Sequence, residues 1–329
     1  MLRPGRRAGN TQQQLQAWVI LLIVLLVASL EHIVLLDMFK DRLDIGAALS
    51  SQGVAENSFG FSPPVFETQL ARNETRWNVC DFQRSYKNLS RTEQTILLNH
   101  LIVEPNTRMI YCYVPKVACT NWKNTFRRLQ SPNYDLPEWT EHNEGMKLLS
   151  TYPRKQAELM LRTYFKFVFV RHPLSRLISA FRDKFTNEPY MKERYGVNII
   201  KECREAPTNG KVTGDDVTFS EFVCYLLRHP VEEFNEHWMP AYKLCQPCSI
   251  NYNYIGKYEH LEEDANAVLH AVVPESGLSF PHRQAKYRPA HNEEKIKLMN
   301  EISSTTMEQL ETVFDLDYRI FSYDKKPTH

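Results

Sequence analysis

Two apolar runs organise the pattern of this chain. The first, Arg108-Met-Ile-Tyr-Cys-Tyr-Val114, gives way to Pro115-Lys-Val-Ala-Cys-Thr-Asn-Trp-Lys123. The second, Lys166-Phe-Val-Phe-Val170, gives way to Arg171-His-Pro-Leu-Ser-Arg-Leu-Ile-Ser179. Short apolar runs rich in aromatic and β-branched residues, bounded by turn residues, predict buried strands. Each run ends in a turn that opens a helix. One helix is predicted from about Thr120 to Leu129, closed by Ser131-Pro132-Asn133. The other begins near Pro173, an allowed first-turn position, with Leu174, Leu177, Ile178 and Phe181 as its apolar face.

The same periodicities place further elements. Helical spacing runs over 91–101, over most of 148–164, over 219–227 behind a Thr218 or Ser220 cap, over 262–272, and once or twice within 292–313. A short strand is predicted at 252–256, and 187–216 is polar and irregular. Strands alternating with helices predict an α/β fold with a central parallel sheet flanked by helices. No internal repeat is visible.

The N-terminal pattern is different. Ala17 to Leu30 carries no charge, and Ile33 to Leu36 extends the apolar stretch to about the 20 residues that span a bilayer. Arg3, Arg6 and Arg7 precede it and predict a cytosolic tail over 1–16. A single-pass anchor over 17–36 with the remainder in a lumen is the expectation. A cleaved signal peptide is the alternative. Residues 37–76 mix Gly, Ser, Pro, Asn and Gln without period and read as a stem, with the catalytic domain expected over 77–329. Two N-glycosylation sequons, at Asn73 and Asn88, fit a lumenal setting.

The formal net charge is +1, so nothing global drives binding to nucleic acid or anionic membrane. A local basic groove could still hold a polyanion, and His282 to His291 is basic with an aromatic inside. Glycine is scarce, and no Gly-rich dinucleotide or Walker loop occurs. Seven cysteines in an oxidising lumen imply disulfides and at least one free thiol. Cys112 and Cys119 read as small buried residues, and Cys245-Gln-Pro-Cys248 as a structural disulfide or a turn. No second partner pair supports a zinc site, and no metal is expected.

The two turns carry the candidate chemistry. Each places a cation and hydroxyls where helix N-terminal N–H groups point outward, which suits an anion. Two such sites suggest a ligand with two separate phosphates, as in 3′-phosphoadenosine 5′-phosphosulfate. The first cradle comprises Pro115, Lys116, Val117, Ala118, Cys119, Thr120 and Asn121. The second comprises Arg171, His172, Pro173, Leu174, Ser175, Arg176, Leu177, Ile178 and Ser179. Arg171 sits where ligands collect in open α/β sheets, and its planar fork suits a phosphate. Arg176 either assists or pairs with acidic neighbours.

These two segments, with Asn235-Glu-His-Trp238, Cys245-Gln-Pro-Cys248 and Ile255-Gly-Lys-Tyr-Glu-His-Leu-Glu-Glu-Asp264, resemble the membrane-bound Golgi carbohydrate sulfotransferases. The resembling branch holds the chondroitin and dermatan 4-O-sulfotransferases, and the likeness runs from about Cys80 to the C-terminus. It implies a P-loop-like sulfotransferase fold and a Golgi location. It also implies sulfate transfer to the 4-hydroxyl of N-acetylgalactosamine. The alternatives are 3-O-sulfation of a terminal glucuronic acid and a non-catalytic glycan-binding relative. A lumenal kinase or nucleotidase lacks its Walker lysine and magnesium-binding acids.

By resemblance, Lys116 contacts the 5′-phosphate and leaving oxygen, and Arg171 with Ser179 holds the 3′-phosphate. His172 departs from a position that is often acidic in relatives. His142 lies between the two cradles, where relatives place a catalytic histidine. His237 and then Glu236 are the other base candidates.

Overall fold

The computed structural model describes residues 61–80, 88–131, 145–205, 211–281 and 292–325. The predicted cytosolic tail, anchor and first part of the stem lie outside these residues, as do His142 and the basic segment 282–291.

The two apolar runs form neighbouring strands. The chain enters through α1 (Pro63–Val79) and α2 (Arg91–His100), then forms β1 (Leu101–Glu104) and β2 (Met109–Cys112). Helix α3 (Cys119–Gln130) follows, then β3 (Lys147–Leu148), α4 (Arg154–Thr163), β4 (Phe165–Val170) and α5 (Pro173–Thr186). Next come α6 (Pro189–Met191), a π turn at Lys192–Gly196, α7 (Val197–Cys203), α8 (Phe219–Arg228) and α9 (Ala241–Cys245). Strand β5 (Tyr254–Lys257) precedes α10 (Leu261–Val272), α11 (Asn292–Met299), α12 (Ser304–Val313) and α13 (Asp315–Ile320).

The five strands lie in the order β3-β1-β2-β4-β5. Strands β2, β4 and β5 are parallel, with Tyr111 opposite Phe167 and Val168 opposite Ile255. Strand β1 runs antiparallel to both β2 and β3. The sheet is therefore mixed, which corrects the expected all-parallel sheet. β1 follows α2 with no intervening residue and returns into β2 through a tight turn. A hairpin of this length can only be antiparallel. In that turn the Glu104 carboxylate accepts the Thr107 N–H at 2.6 Å.

Every residue of β1, β2 and β4 is buried, as continuous apolar runs require when both faces of a sheet are covered. On one face Trp122 of α3 packs 4.5 Å from the Phe167 ring centroid, with Tyr111, Phe126, Phe169 and Phe280 around it. A second aromatic cluster joins α5 and α8 through Phe181, Phe185 and Phe222, with Trp238 against them. Gly256 lies across β5 from Phe169. A Cβ there would stand 2.3 Å from that ring, so only glycine lets β5 close against β4.

Three expectations change. The stretch read as stem carries α1 in its last third, and α1 is held by polar contacts. Arg72 Nη1 lies 2.9 Å from Asp264 Oδ2 and donates to the Ile255 carbonyl at 2.7 Å. The buried Arg76 donates to the carbonyls of Pro247 and Ile250 and to Asn251 Oδ1. A fragment cut at Trp77 would lose both arginines.

Within 187–216, residues 189–203 are helical rather than irregular. The segment is closed by the Cys203–Cys224 disulfide and by Arg204, whose Nε meets Glu221 at 2.6 Å. Finally, Cys112 is not simply a buried small residue. It pairs with Cys245 while Cys248 pairs with Cys80, so Cys-Gln-Pro-Cys joins α1 and β2 rather than closing on itself. Cys119 is the free, buried thiol among the described residues.

Candidate functional site

Both cradles lie at the carboxyl edge of parallel strands, where helix N-termini meet. After β2 the backbone turns through left-handed conformations at Lys116 (φ 70°) and Ala118 (φ 54°) before α3 starts. Two left-handed residues within three positions turn successive N–H groups into one concave face. Non-glycine residues adopt that conformation at a cost, and such strain collects at functional turns. Val117 and Cys119 are buried and anchor the turn from below. Lys116 and Ala118 are half-buried, and Thr120 is exposed at the rim.

The second turn is locked onto the first. Arg171 is buried; its Nη1 donates to the Lys116 carbonyl at 3.2 Å, and its guanidinium lies 4.3 Å above the Tyr258 ring. Arg176 is fully enclosed by carbonyls. Its Nε donates to Pro115 at 2.9 Å, Nη1 to Met239 at 2.7 Å and Nη2 to Glu236 at 3.0 Å. Burial lowers its pKa to about 10, partly offset by Asp317 and Glu236. The Arg176 side chain is thus a brace between three loops. The alternative of a pair with acidic neighbours gives way to carbonyl contacts. Leu174, Leu177 and Ile178 fill the core, while Ser175 is half-buried and Ser179 is buried on the helix that follows.

His172 is held within the fold. Its N–H donates to Glu259 Oε1 at 3.0 Å, and its Nε2 lies 3.0 Å from the Asp324 carbonyl. Tyr318 and Tyr323 box the ring edge-on, and burial pushes its pKa down. The backbone donor expected for an anion at this position is therefore engaged by Glu259.

Lys116 points along α5. Its Nζ lies 3.1 Å from Asp183 Oδ2, and Lys184 Nζ lies 3.3 Å from the same oxygen. Burial alone would raise the Asp183 carboxyl, but Lys116 and Lys184 together outweigh it and hold it below its usual range. The sequence reading missed Asp183. The signal was present, since Asp183 follows Ser179 by four residues and shares its helix face.

The Asn235-Glu-His-Trp segment lies beside the first cradle, because Arg176 grips Glu236 and Pro115 with one guanidinium. Glu236 Oε2 accepts from Tyr113 Oη at 3.2 Å and lies 3.2 Å from His100 Nε2, off the line of a hydrogen bond. His237 Nδ1 lies 2.6 Å from Asn235 Oδ1. Asn121 Nδ2 donates to the Pro281 carbonyl at 3.2 Å. Of the two sequons, Asn88 is exposed. Asn73 lies inside α1, where Nδ2 donates to the Gln69 carbonyl and Oδ1 is buried without a partner. Among the described residues no cluster of three acidic, His or Cys side chains could hold a metal ion.

A mixed sheet flanked by helices, with two strand–turn–helix units side by side at its carboxyl edge, defines an α/β protein. The chain belongs to the sulfotransferase family, whose profile matches residues 99–324. It is 39% identical over 260 residues to carbohydrate sulfotransferase 14 of Homo sapiens, covering 78% of this chain and 69% of that one. It is 38% identical over 271 residues to carbohydrate sulfotransferase 11 of Mus musculus, covering 78% and 77%. Carbohydrate sulfotransferase 9 of Homo sapiens is 32% identical over 269 residues, covering 78% and 61%. No solved structure matches the chain. Family membership implies 3′-phosphoadenosine 5′-phosphosulfate as the sulfate donor.

Proposed function

We propose that this chain transfers sulfate from 3′-phosphoadenosine 5′-phosphosulfate to the 4-hydroxyl of N-acetylgalactosamine in chondroitin or dermatan. The observation that carries the reading is the Arg171–Lys116 contact, which sets the two turns edge to edge. The names of its relatives, carbohydrate sulfotransferases 14 and 11, support a carbohydrate acceptor.

The roles belong to the same proposal. The left-handed turn at Lys116 and Ala118 offers backbone N–H groups to the 5′-phosphate, with Thr120 at the rim. Lys116 meets the charge that builds on the leaving oxygen, a contribution worth about 10²- to 10³-fold in rate for one well-placed donor. Arg171 and Ser179 take the 3′-phosphate. The remaining cradle residues act through backbone and packing. Catalysis is mostly positioning and neutralisation, as in phosphoryl transfer. The enzyme works from the Golgi lumen, held by the apolar stretch 17–36.

The test is a transfer assay with radiolabelled donor and the full chain in detergent. Acceptors are desulfated chondroitin, desulfated dermatan and a glucuronate-capped glycan. Label at the 4-position of chondroitin or dermatan, lost in Lys116→Ala, is the expected result. Label on glucuronate instead redirects the acceptor assignment. Absence of donor binding overturns the reading as a whole.

A further inference from the structure

The Lys116–Asp183 pair sits at the mouth of the first cradle. The Lys116 side chain is 13% exposed and the Asp183 side chain 36%, so the carboxylate is the more open of the two to solvent. Asp183 lies one helical turn beyond Ser179, so one face of α5 runs from the 3′-phosphate candidate to the residue that meets the leaving oxygen. Among the described residues, two cations pair with Asp183. Lys116 approaches from the first turn, and Lys184 from α5 itself, backed by its pair with Glu188. Arg182 is turned aside by Glu294 at 2.6 Å.

We propose that Asp183 is the base that takes the proton from the acceptor hydroxyl. The proposal rests on the donor site described above and adds the proton acceptor to it. Without donor, two lysines keep the carboxylate ionised, which is the state a base needs. When Lys116 turns to the donor, Asp183 loses one cation and gains an anionic neighbour. Both changes raise its affinity for a proton as the hydroxyl arrives. Lys184 stays in place, so the carboxylate is never left buried without a counter-charge.

The step balances. The hydroxyl proton passes to Asp183 Oδ2, and the sugar oxygen forms a bond to sulfur. The bond from sulfur to the 5′-phosphate oxygen breaks, and its electron pair stays on that oxygen beside Lys116. On the neighbouring loop His237 Nδ1 lies 2.6 Å from Asn235 Oδ1. Glu236 Oε2 accepts from Tyr113.

The experiment compares native full chain, Asp183→Asn, Asp183→Ala and Lys116→Ala. Donor binding is read by calorimetry with 3′-phosphoadenosine 5′-phosphosulfate, and transfer by label entering desulfated chondroitin or dermatan. Asp183→Asn is expected to bind donor within about threefold of native and to lose about 10²- to 10⁴-fold in transfer, the span of general-base catalysis. Formate is expected to restore part of the transfer by Asp183→Ala. A native transfer rate in Asp183→Asn overturns the proposal. So does a loss of donor binding that accounts for the whole rate loss, or a failure of formate to rescue the alanine variant. If Lys116→Ala binds and transfers like native, the donor-site reading fails instead, whatever the Asp183 variants do.

Discussion

The Arg171 guanidinium donates to the Lys116 carbonyl while lying flat over Tyr258, so one side chain holds both cradles in register. Lysine at this position keeps the charge but loses the fork and the ring contact. Arg171→Lys is expected to weaken donor binding by about 10- to 100-fold and to lower stability by about 1–2 kcal/mol. Calorimetry with the donor and a urea melt measure the two effects separately. Donor affinity unchanged by the substitution would remove Arg171 from the site.

Tyr111 is fully buried between Phe167 and Trp122, yet its hydroxyl has no hydrogen-bond partner among the described residues. A buried, unsatisfied hydroxyl costs stability without returning any. Tyr111→Phe removes the oxygen and keeps the ring. It is expected to stabilise the fold by about 1 kcal/mol, visible as a higher urea midpoint at unchanged slope. A loss of stability would mean that the hydroxyl has a partner in solution.

How much of this was legible beforehand follows from which forces build each part. The two strand–turn–helix units stood out because apolar runs buried on both faces leave a plain pattern. Helix α8 was legible from Thr218 and Glu221, which form a reciprocal cap. Strand β1 was hidden because it continues from α2 without a breaking residue between His100 and Leu101. Helix α1 was hidden because arginine contacts, not an apolar stripe, dock it. The disulfide partners lie 133 and 168 residues apart, and sequence carries no trace of such pairings. In the site, the cradles could be read as motifs. The partner that Lys116 chooses depends on how α5 lies against the first turn, which is a property of packing.

Lys166 points a buried ammonium at the Tyr164 carbonyl, 2.8 Å away. Burial lowers its pKa from 10.5 to about 8. Below about pH 8 the folded protein carries the charge at a cost. Between about 8 and 10.5 the unfolded chain binds more protons than the folded one, so stability rises with pH across that window. Lys166→Met is therefore expected to be more stable than native by about 1–2 kcal/mol at pH 7, after allowing for the lost hydrogen bond. The advantage should shrink towards pH 10. Melting temperatures of both proteins over pH 7–10 test this, and a gap that stays constant with pH would contradict it.

The sequons at Asn73 and Asn88 are equivalent in sequence and unequal in the fold. Asn88 is exposed just before the Ser90 cap of α2. Asn73 uses its Nδ2 within α1 and buries its Oδ1, so a sugar on that nitrogen would break the Gln69 contact and lift α1 from the body. Because α1 also carries Arg72 and Arg76, chains glycosylated there would fail to fold and would be cleared. The folded protein from a secretory host is therefore expected to carry one N-glycan. Its gel mobility should shift on glycosidase treatment. Asn88→Gln should abolish that shift and Asn73→Gln should leave it intact. A shift lost only with Asn73→Gln would show that α1 opens to solvent, and no shift in any variant would overturn the lumenal placement.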